Sequence, residues 1–139
     1  MPRKPKKRIN WDNPVSAQIK VKRSKTGLGL YAKEHLKKGD FVVEYRGTRL
    51  SYEEAEYHPG RYLFEINSRV TINGVGRDNV ARYINHSCRP NCEPDVKKGR
   101  VLIFAKRRVD IGEELTYDYG REYFNRFLKP AGCKCLSCA

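Results

Sequence analysis

Arg82-Tyr-Ile-Asn-His-Ser-Cys-Arg-Pro-Asn-Cys92 and Glu113-Glu-Leu-Thr-Tyr-Asp-Tyr119 decide how this chain is read. Both strings mix β-branched and aromatic residues, which argue for burial, with side chains that hydrogen-bond or titrate. A buried polar group left without a partner costs roughly 1–3 kcal/mol. Asn85, His86, Ser87, Asp118, Tyr117 and Tyr119 are therefore expected to form a connected network or to line a ligand site.

The surrounding pattern is that of a mostly β chain with short helices. Apolar alternation at Ala17, Ile19 and Val21 predicts a first strand, and a turn from Ser24 to Gly27 leads into Leu28-Gly-Leu-Tyr-Ala32. After a turn at 37–40, Phe41-Val-Val-Glu-Tyr45 predicts a strand. Ser51 and Glu54 make a capping box for a short helix through Tyr57, stopped by Pro59-Gly60. Arg61-Tyr-Leu-Phe-Glu-Ile66 and Val70-Thr-Ile72 read as strands, the second closed by Asn73-Gly74. Asn79 is expected to cap a helical turn carrying Asn85 and His86. Val101-Leu-Ile-Phe-Ala105 and Glu114-Leu-Thr-Tyr117 are further strands, and Glu122 to Leu128 a short helix.

Gly27-Leu-Gly-Leu-Tyr-Ala32 formally satisfies the dinucleotide fingerprint, with Glu44 seventeen residues after Gly27. Too few helical residues follow before Gly39-Asp40, and no further βαβ unit follows, which argues against a Rossmann site; a plain tight turn is the bland alternative.

The two opening strings, with the Gly27-Leu28-Gly29 turn before them and Cys133-x-Cys135-x-x-Cys138 after them, resemble the signature motifs of SET-domain protein lysine methyltransferases with a post-SET cysteine motif. The resemblance runs from about residue 17 to the C-terminus. It implies a SET-domain (β-clip) fold of several small sheets with a knot-like C-terminal threading: a basic flexible tail over 1–16, the catalytic domain over 17–128 and a post-SET zinc-binding segment over 129–139. No cysteine-rich segment precedes Gly27, so the resemblance is to a minimal form lacking a pre-SET zinc cluster.

By that resemblance Tyr119 matches the catalytic tyrosine, Tyr45 a channel wall, and Asn85 and His86 the pair that contacts S-adenosylmethionine. Arg82 supports that pair, Tyr62 matches a cofactor-side or channel tyrosine, and Gly27, Leu28, Gly29 and Tyr31 run along the cofactor. Leu136 could pack against it. Tyr117 stands where relatives carry Phe or Tyr, a choice that governs how many methyl groups fit; tyrosine implies mainly monomethylation, with dimethylation as the other outcome. Tyrosines suit such a channel because their rings exclude water and attract an ammonium group.

Cys133, Cys135 and Cys138 supply three thiolates, one short of a tetrahedral zinc set. The resemblance implies Cys88 as the fourth, with Cys92 competing. The spacing, with two residues before the last cysteine, is tighter than the family's four, and free or disulfide-paired thiols are the alternative reading. Five cysteines in all, three of them in the last seven residues, suit metal ligation in a reducing compartment.

Net charge is +13, and residues 1–25 hold nine Lys/Arg against Asp12 alone. Pro2-Arg-Lys-Pro-Lys-Lys-Arg8 reads as disordered, either a solubility tail or a non-specific contact to nucleic acid through phosphate neutralisation. Glu53, Glu54, Glu56 and Glu65 are the main acidic concentration, either a docking surface for a basic substrate such as a histone tail or a solvated face. With no signal peptide or membrane span in view, the expected location is the nucleus or cytoplasm. A small basic zinc-binding nucleic-acid module and a catalytically silent SET-like binding domain are the competing functions.

Overall fold

Short runs rich in β-branched and aromatic residues, such as Phe41-Val-Val-Glu-Tyr45 and Val101-Leu-Ile-Phe-Ala105, separated by glycine-containing turns, make strands the dominant element. The structure is a computed structural model that describes residues 18–24, 27–58 and 60–120. Three small sheets form it. Strands β1 (Ile19–Ser24) and β2 (Gly27–Ala32) make an antiparallel hairpin in register Ile19↔Ala32 to Ser24↔Gly27. β3 (Phe41–Tyr45) is buried along its whole length. β4 (Thr48–Ser51) leads directly into helix α1 (Tyr52–Tyr57). The capping box is present: Glu54 N–H donates to Ser51 Oγ at 3.2 Å, and Ser51 N–H donates to Glu54 Oε1 at 3.1 Å. The Ser51 amide holds the Glu54 carboxyl below its usual value.

β5 (Leu63–Glu65) and β4 both pair with β6 (Val70–Asn73), giving the sheet order β4-β6-β5. A 3₁₀ turn (Val80–Tyr83) precedes β7 (Asn85–His86), and β8 (Cys92–Lys97), β9 (Arg100–Ala105) and β10 (Glu114–Tyr117) complete the described chain. The second sheet is β3-β9-β8 and the third β1-β2-β10-β7. Leu30, Leu36, Val42, Val43, Ile84, Val101, Ile103 and Leu115 fill the core where the sheets meet. Glu44, buried among them, is held by Arg100 through two bonds of 2.6 and 2.8 Å, which supplies the partner a buried carboxylate requires.

Several expectations are corrected. Asn85 and His86 are extended rather than helical, and the turn before them ends at Tyr83. Asn79 makes no cap. Its side chain is 1% exposed and is spent on other backbone groups, accepting from Arg46 N–H at 3.0 Å and donating to Gly74 O at 3.0 Å. The strand expected over 61–66 is only Leu63–Glu65, and the one expected at 70–72 runs through Asn73. β4 and β8 were not expected. β8 contains Pro94, which an edge strand tolerates because the missing donor faces away from the ladder. Its hairpin to β9 turns at Lys98-Gly99, both with positive φ, 53° and 71°, as a two-residue primed turn requires. The strand start at Ala17, the helix from Glu122 to Leu128, the C-terminal threading and the basic stretch 1–16 lie outside the described residues.

Candidate active site

The site is organised by a two-residue strand. β7 runs parallel to β10, with Asn85 beside Thr116 and His86 beside Tyr117, and Ser87 N–H donates to Tyr117 O at 3.2 Å. Beyond the turn at Arg89-Pro90, the buried Asn91 amide replaces a further length of strand. Its Nδ2 donates to Glu114 O at 2.8 Å and its Oδ1 accepts from Thr116 N–H at 2.9 Å. Successive residues of a strand point to opposite faces. Asn85 and His86 therefore serve two different sides of the same strand pair.

On the His86 side lies an aromatic series. Tyr45 and Phe64 have ring centroids 5.4 Å apart, Phe64 and Tyr117 6.4 Å, Tyr117 and Tyr119 4.9 Å, and Tyr119 and His86 5.3 Å. Tyr45 and Tyr117 are 4% and 6% exposed, so their rings are wall and not surface. Tyr119 is held at both ends: its hydroxyl donates to Ile84 O, and its N–H donates to His86 Nδ1 at 3.1 Å. That bond fixes the neutral imidazole's proton on Nε2, which faces Cys88 Sγ at 3.4 Å. Asp118 Oδ1 lies 3.8 Å from His86 Nδ1 and accepts from Gly120 N–H at 2.9 Å, while Ser87 Oγ accepts from Arg89 N–H at 3.0 Å. The expected polar network is thus centred on His86 and Tyr119, with Ser87 serving its own turn.

Tyr45, Phe64, Tyr117 and Tyr119 border a cavity of about 440 Å³ that also takes in Tyr62, Arg82, Glu56 and Glu65; His86 stands behind Tyr119 and does not line it. Arg82 stacks over the Tyr62 ring at 4.4 Å, donates through Nη1 to Val75 O, and leaves its buried Nε without a partner among the described residues. Of the four glutamates named from sequence, Glu56 and Glu65 line the cavity; Glu53 and Glu54 do not. Phe64 was not named. Period-two spacing within Tyr62-Leu-Phe-Glu-Ile66 is the signal that carries it, since Phe64 shares the face of Tyr62.

On the Asn85 side stand the β2 residues. Asn85 Nδ2 donates to Leu28 O at 3.1 Å and to Glu114 Oε2 at 2.7 Å, and lies 3.4 Å from Ser24 Oγ. Gly27 opens β2 with φ +122°, and Tyr31 stands opposite Glu114 in the β10 register. Burial, and after it the Glu114 carboxylate, raises the Tyr31 phenol above its ordinary value. Gly27, Leu28, Gly29 and Tyr31 do not reach the aromatic cavity, whereas Tyr62 and Arg82 line it. The residues named for a cofactor are thus divided between the two sides, and Tyr119 belongs to the cavity side.

Cys88 is exposed, while Cys92 is 0% exposed in β8 and burial pushes its thiol up to about 12. A metal ligand must be a thiolate. Burial disfavours that form at Cys92, whereas Cys88 is open to solvent. Cys133, Cys135, Leu136 and Cys138 lie outside the described residues, and among the described residues no three His, Cys, Asp or Glu side chains cluster as a metal site. No helix among them is long and apolar enough to cross a membrane.

Similarity to known proteins follows the same residues. Human "Histone-lysine N-methyltransferase 2D" is 38% identical over 145 residues, covering 94% of this chain and 2% of its own length. "Histone-lysine N-methyltransferase ASHH1" of Arabidopsis thaliana is 36% identical over 126 residues, covering 81% of this chain and 26% of its own. "Histone-lysine N-methyltransferase, H3 lysine-4 specific" of Neurospora crassa is 38% identical over 104 residues, covering 66% of this chain and 8% of its own. The chain therefore spans a minor part of the relatives it matches. Residues 27–120 match the SET domain as a whole, from the first glycine of β2 to the glycine after Tyr119, and the chain belongs to the SET domain family.

Proposed function

We propose that this chain is a protein-lysine N-methyltransferase that uses S-adenosylmethionine and acts on a lysine in a basic protein of the histone type. The observation that carries this reading is the cavity bordered by Tyr45, Phe64, Tyr117 and Tyr119, which abuts the strand pair carrying Asn85 on its other face. When bound, the cofactor supplies a methyl group on a sulfonium. The protein's task is then to admit a lysine, strip its water and hold its nitrogen in line.

A free lysine has a pKa of about 10.4 and is almost wholly charged at neutral pH. Burial among aromatic rings lowers that value, and ring faces hold the charged or methylated forms by cation–π attraction. Glu56 and Glu65 at the cavity give a basic peptide opposite charge on its approach. Tyr119 orients the amine, Tyr45 and Phe64 form the walls, and the Tyr117 hydroxyl limits the room for added methyl groups, which favours monomethylation. Asn85 and the β2 residues Gly27, Leu28, Gly29 and Tyr31 are assigned to the cofactor, with Tyr62, Arg82, His86 and Leu136 completing its surroundings. Asn85 suits this role because its amide oxygen accepts no bond among the described residues.

We further infer one structural zinc on Cys88, Cys133, Cys135 and Cys138, which would anchor segment 129–139 beside the catalytic domain of 17–128. The exposed Cys88 sulfur, facing the His86 Nε2 proton, fits a thiolate ligand. The basic stretch 1–16 is assigned a non-specific contact with nucleic acid, in keeping with a chromatin substrate and a nuclear location. Incubation with methyl-labelled cofactor and mixed core histones tests the whole reading. Label on a histone lysine is expected; binding of cofactor with no transfer to any basic protein would leave a silent binding domain instead.

A further inference from the structure

Glu114, in the second sequence string, is a side chain to which the motif reading gave no role. It stands opposite Tyr31 in the β10–β2 pairing, so Gly29, two residues back on β2, shares its face on the diagonal. A Cβ at Gly29 would lie 2.6 Å from Glu114 Oε2 and 3.2 Å from Ser24 Cβ. The absent side chain at 29 is what gives the carboxylate its place. From there the same oxygen accepts from Asn85 Nδ2 at 2.7 Å, the shortest of that nitrogen's three contacts; Leu28 O is at 3.1 Å and Ser24 Oγ at 3.4 Å. Three oxygens around one nitrogen fix the amide's orientation, since a flipped amide would set its oxygen against a carboxylate and a carbonyl. The Asn85 oxygen is thereby turned away from those three acceptors.

We propose that Glu114 is a positioning residue for the cofactor: seated over Gly29, it locks the Asn85 amide so that Oδ1 is the acceptor a bound cofactor meets. This rests on the reading of the β2–β7 face as the cofactor side. Gly29 is required here for Glu114, and not only for close approach of a ligand.

Calorimetric titration of the full chain with S-adenosylmethionine tests it, with peptide KM measured at saturating cofactor. Glu114→Ala is expected to weaken cofactor binding about tenfold or more, the loss of a hydrogen bond to a charged group, with peptide KM little changed. Glu114→Gln keeps an oxygen for Asn85 and recovers most of that loss. The double variant Glu114→Ala with Asn85→Ala binds no more weakly than Asn85→Ala alone, because Glu114 acts through Asn85. Gly29→Ala weakens binding, and weakens it less when Glu114 is already alanine. Wild-type affinity in Glu114→Ala, additive losses in the double variant, or an equal penalty for Gly29→Ala in both backgrounds would each overturn the proposal. If the unsubstituted chain binds no cofactor, the proposed function falls and this inference falls with it.

Discussion

Asn85 and His86 are adjacent in the chain but belong to opposite sides of one strand pair, and the two sides are built from different materials. The Asn85 side is polar and close-fitted: an amide, a carboxylate, a backbone carbonyl and a glycine without which they would collide. The His86 side carries a series of rings with centroid spacings of 4.9 to 6.4 Å, of which Tyr45, Phe64, Tyr117 and Tyr119 line the cavity and His86 backs Tyr119. One side orients by hydrogen bonds and the other excludes water. A transfer between two bound molecules needs both, and alternation along a strand provides them within two residues.

The comparison breaks most visibly at Tyr119, on the cavity side. Tyr119→Phe removes the hydroxyl that donates to Ile84 O but keeps the ring packed between Tyr117 and His86. Methyl transfer is expected to fall by roughly a hundredfold while the chain still folds, measured as label incorporation against thermal unfolding. Metal content is the next test. Cys88→Ser should lose zinc by elemental analysis, and Cys92→Ser should keep it, because the Cys92 thiol is buried and held neutral. Zinc retained in the first variant and lost in the second would reverse the ligand assignment.

Phe64→Leu separates the sides more gently. It opens the ring series between Tyr45 and Tyr117, so peptide KM should rise about tenfold while calorimetric cofactor affinity stays at the wild-type value. A matching fall in cofactor affinity would show that the sides are not independent. Tyr117→Phe should shift product from mono- toward di- and trimethyl lysine by a few-fold, with turnover kept. An unchanged product distribution by mass spectrometry would remove Tyr117 from that role.

The smallest effect is alkaline. The Cys92 thiol is raised to about 12, so the unfolded chain loses that proton at lower pH than the folded one. Its contribution is complete below the ordinary thiol value and is lost as pH climbs through that window. Cys92→Ala should therefore lose less stability than the wild type between pH 9 and 12, read from the slopes of denaturant midpoints.

Much of this was legible before any coordinates. The capping box at Ser51 and Glu54 and the strands around Val43 and Ile103 follow from local chemistry and spacing, and the need of the Asn-His and Tyr-Asp-Tyr strings for polar partners follows from their apolar neighbours. β8 was hidden because Pro94 and three charged residues make an edge strand look like a loop. Asn85 and His86 were read as helical because Asn79 resembles a cap; its amide is instead claimed by Arg46 and Gly74, partners that no local rule reveals. Asn91 and Glu114 escaped notice for the same reason, since each acts on a strand more than twenty residues away.

The amino-acid order by itself determined the residue types of the site, the β character of the chain and the family to which it belongs. These rest on periodicity and on short motifs, whose physics is settled within a few residues. Only the tertiary structure decided which side of the β7–β10 pair each residue serves, that Phe64 joins the tyrosines, and that Gly29 yields its space to Glu114. Those outcomes depend on register between strands distant in sequence, and register is fixed by burial of whole faces and not by any single residue along them.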